Sequence, residues 1–208
     1  MRWIAHNGAG YDAVDVYACK AKGRQSVSPK VRITLFHLGT GIYVSNTPGA
    51  VDDATATTAL YLLISTIRQF SIADQSLRAL TWKPDGLSKV SHDLTGKTLA
   101  ILGLGGIGTR LAVLVHAFPM RVVYHSRRKN LEAPDFCEYF ENVETMLAQA
   151  DILSVHIPLR RETVGLVGEK WIRALKPGAI IINTARGKVI DEEAMIKALE
   201  DGHVSVLL

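Results

Sequence analysis

Cysteine is scarce in this 208-residue chain: Cys19 and Cys137 are its two examples. They lie far apart and without metal-ligand spacing, which speaks against a disulfide framework and a zinc motif and reads as two reduced thiols of a cytoplasmic protein. Long apolar runs are missing too. The richest, 59–64, is soon followed by Arg68, far short of the roughly 20 residues that span a bilayer, so no membrane partner is expected. The opening residues MRWIAHNG lack the apolar core of a signal peptide, again pointing to the cytoplasm. Charge of one sign is not abundant: 24 Lys and Arg face 20 Asp and Glu, for a net +4. Residues 24–41 hold Arg24, Lys30 and Arg32 without an acid and supply +3 of it, leaving +1 elsewhere. With aromatics at 7%, this is not the basic, stacking face that nucleic acid requires. No internal repeat or low-complexity tract is present.

What the chain does have is apolar residues, at 48%, enough for the core of one domain or of one and a half. Three zones emerge. Residues 1–48 read as a strand at 2–6, a turn at 7–10, a helix at 13–22 and a strand at 42–45. In 49–97 a single long helix is expected over 51–76, because Leu60, Leu63, Ile64, Ile67 and Phe70 recur at helical spacing. A connector rich in Pro and Gly follows at 82–96. From 98 onward strand and helix alternate, the pattern of an α/β doubly wound parallel sheet with helices on both faces. Strands are expected at 98–102, 121–125, 137–140, 152–156 and 179–183, with a sixth beginning in 203–208. Helices fall at 107–117, 143–149, 168–174 and 192–200.

The stretch LAILGLGGIG (99–108) carries the most information. Four apolar residues run into Gly103, Gly105 and Gly108, spaced G-x-G-x-x-G, and a helix-compatible segment follows. In such a strand–turn–helix the first glycine permits the tight turn, the second lets backbone approach a pyrophosphate, and the third lets helix pack on strand. The helix start presents free N–H groups and a positive dipole end to the phosphates. A dinucleotide is therefore the expected ligand. Roughly 20 residues further on, such folds place an acid for the adenosine ribose hydroxyl; this chain has HSRRK (125–129) instead. Arginine forks suit a 2′-phosphate, so Arg127 and Arg128 favour NADP(H), with NAD(H) as the alternative.

Three further strand ends carry candidate chemistry. The run AIIINTARG (179–187) delivers Arg186 to the carboxyl end of a strand, where ligands of open parallel sheets bind. There Arg186 can hold a substrate carboxylate and polarise the neighbouring carbonyl, a catalytic role, while a surface salt bridge is the plainer alternative. His156-Ile-Pro158 ends another strand beside the expected cofactor. The turn NGAG (7–10) can cradle a carboxylate on its amides.

Taken together, these words resemble the D-isomer-specific 2-hydroxyacid dehydrogenases, in particular their glyoxylate/hydroxypyruvate reductase-like branch. The matching words are HNGAGYD (6–12), VSNTPGAVDDATA (44–56), GKTLAILGLGGIG (96–108), RVVYHSRR (121–128), ADILSVHIPL (150–159), LKPGAIIINTARG (175–187) and VIDEEAMIKALEDG (189–202). The resemblance implies a Rossmann-type domain over 98–208, a connecting segment over 49–97, and over 1–48 a remnant of a flavodoxin-like substrate domain. It implies hydride transfer between nicotinamide C4 and the 2-carbon of a small 2-keto or D-2-hydroxy acid. Cofactor contacts would fall on Gly103, Gly105, Gly106, Ile107 and Gly108, on Ser126, Arg127 and Arg128, on His156, Pro158 and Thr163, on Thr184, Ala185 and Arg186, and on Thr55. Ala9, Gly10 and Arg186 would hold the substrate carboxylate, with no metal involved. A homodimer through the nucleotide domain and its preceding helix is implied for the full-length parent.

The pattern also departs from the family. The proton-relaying histidine and its glutamate belong after the NTARG word and have no counterpart in 203–208; His203 is not the matching residue. The chain thus reads as truncated at both ends and impaired in turnover, with a silent nucleotide-binding or dimerisation module as the alternative. Residues 24–41 interrupt the match, as a translated intron or a genuine insertion, and their alternating Val31, Ile33 and Leu35 suggest an exposed strand.

Overall fold

In the computed structural model, residues 3–5, 10, 12, 14, 34–38, 42–82 and 84–208 are described. The larger of its two sheets has six strands, β4 (Thr98–Leu102), β5 (Arg121–His125), β6 (Cys137–Tyr139), β7 (Ile152–Val155), β8 (Ala179–Asn183) and β9 (Val204–Leu207). The order is β6-β5-β4-β7-β8-β9, and every neighbouring pair is parallel. This is a Rossmann-type doubly wound sheet. The expected strands form within a residue of their predicted ends, including the sixth.

The sheet is apolar on both faces because helices cover both. Successive residues of a strand point to opposite sides, and the two cores divide accordingly. Leu99, Ile101, Val122, Tyr124, Ile152 and Ile182 pack on one side against Ala56, Ala59 and Leu63 of α1 (Asp52–Ile67) and Leu111 and Val115 of α4 (Gly106–Val115). Ala100, Leu102, Val123, Leu153, Val155 and Ile181 pack on the other, against α5 (Val143–Leu147), α6 (Glu169–Ala174) and α7 (Glu192–Glu200). Each fully buried Leu, Ile or Val contributes about 1.5–3 kcal/mol. Helix starts follow their caps: the Asn142 side chain accepts from the N–H groups of Glu144 and Thr145, and Asp191 accepts from that of Ala194.

The single helix expected over 51–76 is broken. α1 ends at Ile67, Gln69 takes a left-handed φ of 56°, and α2 (Phe70–Arg78) starts anew. The last carbonyls of α1 find other donors: the Gln69 side-chain amide on Thr66, the His92 N–H on Ile67 and the Ser91 hydroxyl on Arg68. Leu63 and Ile67 of the predicted stripe are buried and Leu60 and Ile64 half-buried, but Phe70 lies beyond the break and is half exposed. A short helix, α3 (Leu87–Val90), also occupies the connector.

A second, three-stranded sheet has the order β1-β3-β2, from β1 (Trp3–Ala5), β2 (Thr34–Leu38) and β3 (Ile42–Asn46). β1 is parallel to β3, and β2 is antiparallel to it at the edge. The interrupting segment thus does supply a strand, with Leu35 in it; Val31 and Ile33 lie outside the described residues. So do Cys19, Ala9 and, apart from position 14, the helix expected at 13–22. Among the described residues no helix is long and apolar enough to cross a membrane.

Candidate functional site

The sheet order reverses between β4 and β7, which opens a crevice at the carboxyl ends of these two strands. Backbone bonds draw the strand ends together there: the Gly103 N–H donates to the His125 carbonyl and the His156 N–H to that of Leu102, each at 2.8 Å. The three motif glycines have separate physical reasons. Gly103 has φ of 96°, and a Cβ on it would stand 3.1 Å from the His156 carbonyl. A Cβ on Gly108 would stand 2.5 Å from the Gly103 oxygen, so only glycine lets α4 pack on the turn. Gly105, by contrast, has nothing within 4 Å: its open side is room for a ligand. Gly106 and Ile107 begin α4, whose N–H groups lead into that space. The Asp52 carboxylate of α1 packs on Gly106, and Asp53 pairs with Arg110.

Side chains after β5 brace the loop. The Leu104 N–H donates to the Ser126 hydroxyl at 2.9 Å, while the Asn130 amide donates to the Leu104 carbonyl at 3.1 Å. Asn130 was not expected to matter; its only signal was its place just after the basic cluster. Beside the loop lies a cavity of about 490 Å³ walled by Ser126, Arg127, Pro158, Arg160, Glu162 and Trp171, among others. Thr163 also lines it, but its hydroxyl is engaged with the Pro158 carbonyl and the Arg160 N–H, both at 2.7 Å. Arg128 is exposed and not part of the wall.

Deeper in the crevice, His156 Nε2 meets the buried Ser154 hydroxyl at 2.8 Å, while its Nδ1 is buried and has no partner among the described residues. Burial pushes the imidazole down to about 4, so it is neutral at physiological pH. The Thr184 hydroxyl, after β8, is likewise buried and unpaired. Thr55 sits half-buried in the first turn of α1.

Arg186 follows β8 and reaches Gly10 and Asp12. Its Nε lies 3.0 Å from both carboxylate oxygens of Asp12, and its Nη2 lies 2.9 Å from Oδ1. Hydrogen bonding to Asp12 raises the guanidinium's pKa further, keeping it charged. A Cβ on Gly10 would fall 2.3 Å from Nη2, so the fork rests against glycine backbone. The two substrate candidates Gly10 and Arg186 are therefore brought together. Asn183 steadies the turn, accepting from the Ala185 N–H and donating to the Arg186 carbonyl. Asp12 was not foreseen as a partner, although it closes the HNGAGYD word. His203 stands at the amino end of β9, away from the carboxyl strand ends that gather the other candidates, with Nε2 3.0 Å from the Ile172 carbonyl. Among the described residues no group of three His, Cys, Asp or Glu is placed to hold a metal.

These features fit a bound dinucleotide: an unobstructed glycine turn, unpaired buried polar atoms at His156 and Thr184, and a basic cavity. Sequence comparison agrees. Residues 60–208 match the pattern of "D-isomer specific 2-hydroxyacid dehydrogenase, NAD binding domain". The chain belongs to this family. It is 37% identical over 212 residues to the glyoxylate reductase of Thermococcus litoralis, covering 99% of this chain and 58% of that protein. It is 37% identical over 204 residues to 4-methyl-2-oxopentanoate reductase A of Aspergillus oryzae, covering 98% and 56%. Its fold superposes on the crystal structure of a glyoxylate reductase from Paecilomyes thermophila with a TM-score of 0.83 and 39% identity, covering 99% and 57%. The chain thus spans little more than half the length of these relatives.

Proposed function

We propose that this chain is the nucleotide-binding and carboxylate-binding part of an NADP(H)-dependent reductase of small 2-keto acids, of the glyoxylate or hydroxypyruvate kind. The observation that carries this is the Arg186 fork. It stands at the carboxyl end of β8, seated on Gly10, and already grips a carboxylate bidentately. A 2-keto acid presents the same group, with a carbonyl next to it for the guanidinium to polarise. The relatives named above all reduce 2-keto acids by name, which supports the substrate class. The bound cofactor would supply hydride from nicotinamide C4 to the 2-carbon.

The chain's own residues would divide the work. The glycine turn and the start of α4 hold the pyrophosphate, Ser126 fixes the turn, and Arg127 with Arg128 prefers a 2′-phosphate over a bare hydroxyl. His156 and Thr184 offer their unpaired atoms to the nicotinamide end, with Thr55 nearby. Uncharged His156 acts as a hydrogen-bonding partner rather than as the source of the proton. Asp12 competes with the substrate for the fork and must yield or share it. We read 1–48 as part of the substrate domain, 49–97 as the connector and 98–208 as the nucleotide domain, in a cytoplasmic protein. The exposed Tyr61, Phe70, Ile72, Leu77 and Trp82 of the α1–α2 region support a homodimer through that face.

The occupied fork and the placement of His156 and His203 favour a second reading, a nucleotide-binding module without turnover. One experiment separates the two: titration with NADPH and with NADH by calorimetry, alongside oxidation of each at 340 nm with glyoxylate and hydroxypyruvate. Turnover supports the reductase, and binding without turnover supports the module. Failure to bind any dinucleotide refutes both.

A further inference from the structure

The cavity beside the glycine turn is walled by two loops from opposite sides of the switch point. Ser126 and Arg127 follow β5, whereas Arg160 and Glu162 follow β7. Arg127 and Arg160 form no ion pair among the described residues, although eight other basic side chains there do. Two like charges on one concave wall repel each other, and a cleft concentrates that field. A multivalent anion seated between them removes the repulsion, and the planar forks suit phosphate oxygens.

Arg160 is also held in place. The Thr163 hydroxyl accepts from the Arg160 N–H and donates to the Pro158 carbonyl, both at 2.7 Å, which ties the loop into the turn Arg161–Thr163. An arginine on a pre-shaped loop loses less freedom on binding than one on a loose segment. Trp171 of α6 supplies an apolar wall that a base or sugar can cover. We infer that Arg160 is a specificity-determining residue: with Arg127 it clamps a phosphate monoester on the adenosine ribose, and Glu162 is the opposing charge that moderates the clamp. This places the second jaw on the loop after β7; Arg128, which does not line the cavity, adds to the positive field around it. The inference rests on the dinucleotide reading above.

The full chain is titrated calorimetrically with NADPH, NADH, adenosine 2′,5′-bisphosphate and 5′-AMP. Loss of a charge-assisted phosphate contact in Arg160→Ala should weaken NADPH and the bisphosphate by about tenfold. NADH and 5′-AMP should stay within about twofold of the original, since they lack the 2′-phosphate. Arg160→Lys, keeping the charge without the fork, should recover part of the loss and controls for misfolding. Glu162→Gln should tighten NADPH by roughly threefold while leaving NADH unchanged. Equal losses for phosphorylated and unphosphorylated ligands, or no loss at all, would overturn the clamp but leave dinucleotide binding standing. If the unmodified chain binds none of the four, the dinucleotide reading falls and the clamp with it.

Discussion

Replacing Gly108 by alanine adds one methyl group where the structure has no room. The new Cβ would stand 2.5 Å from the Gly103 carbonyl oxygen and 3.1 Å from Ile101 Cγ2. The nearer atom belongs to backbone in a turn held by the bonds to His125 and His156, so it cannot swing aside as a side-chain tip would. Overpacking of this kind costs about 1–3 kcal/mol, and a backbone clash belongs at the upper end. For a chain of this size each kcal/mol moves Tm by roughly 2–4 °C, so Gly108→Ala should melt about 5–10 °C lower. Gly105→Ala is the matched control. Its Cβ meets nothing within 4 Å and its φ of −88° suits any residue, so Tm should hold within about 2 °C. Its methyl group instead fills the ligand's side of the turn, and NADPH affinity should fall by about tenfold or more. Melting followed by circular dichroism and NADPH titration of both variants read the two effects separately. If Gly108→Ala keeps its Tm, or Gly105→Ala loses Tm and affinity together, the division of roles among these glycines is wrong.

Three other outcomes follow from the same geometry. Replacing Arg127 and Arg128 together by serine should lower the NADPH-to-NADH affinity ratio at least tenfold, by about 1.4 kcal/mol; an unchanged ratio removes them from cofactor choice. Arg186→Lys keeps the charge but loses the fork, so oxalate, a substrate-like dicarboxylate, should bind the NADPH-loaded chain about tenfold more weakly while NADPH itself binds within about threefold of the original. The third concerns pH. His156 titrates at about 4 in the fold against an ordinary 6.5, so between these values the unfolded chain binds the extra proton. Stability should therefore fall as pH drops from 6.5 towards 4, by at most about 3 kcal/mol, and His156→Gln should flatten that part of the profile. Urea unfolding at pH 7.5, 6, 5 and 4.5 measures it, and parallel curves for both proteins would sink the assignment.

The nucleotide domain was largely legible because its signals are local. β4, β5, β7 and β8 are short, largely apolar runs followed or closed by glycine, histidine or asparagine, and the turn glycines stand next to the strand they terminate. The helix break was not, since the groups that satisfy its end, Ser91 and His92, arrive more than 20 residues later. Local periodicity carried Phe70 into a stripe that the backbone had already left. In the site, Gly105 and Arg186 could be named from strand ends, but their partners could not. Asp12 is remote in sequence from Arg186, Arg160 faces Arg127 only because two loops meet across the switch point, and the Ser126 hydroxyl serves the turn as much as any ligand. Side-chain pairings of this kind depend on which loops the sheet order brings together.

The ion pair between Arg186 and Asp12 joins positions 174 residues apart. Contacts so distant along the chain are late ones, because loop closure must be achieved before they return any stabilisation. The glycine turn, by contrast, draws mainly on strands within about 60 residues of one another, so a nucleotide pocket can form while the arginine fork still points into solvent. A kinetic experiment should then find dinucleotide binding recovered before carboxylate binding on refolding. In this molecule the order in which the two proposed ligand sites mature would be written into the distance between their parts.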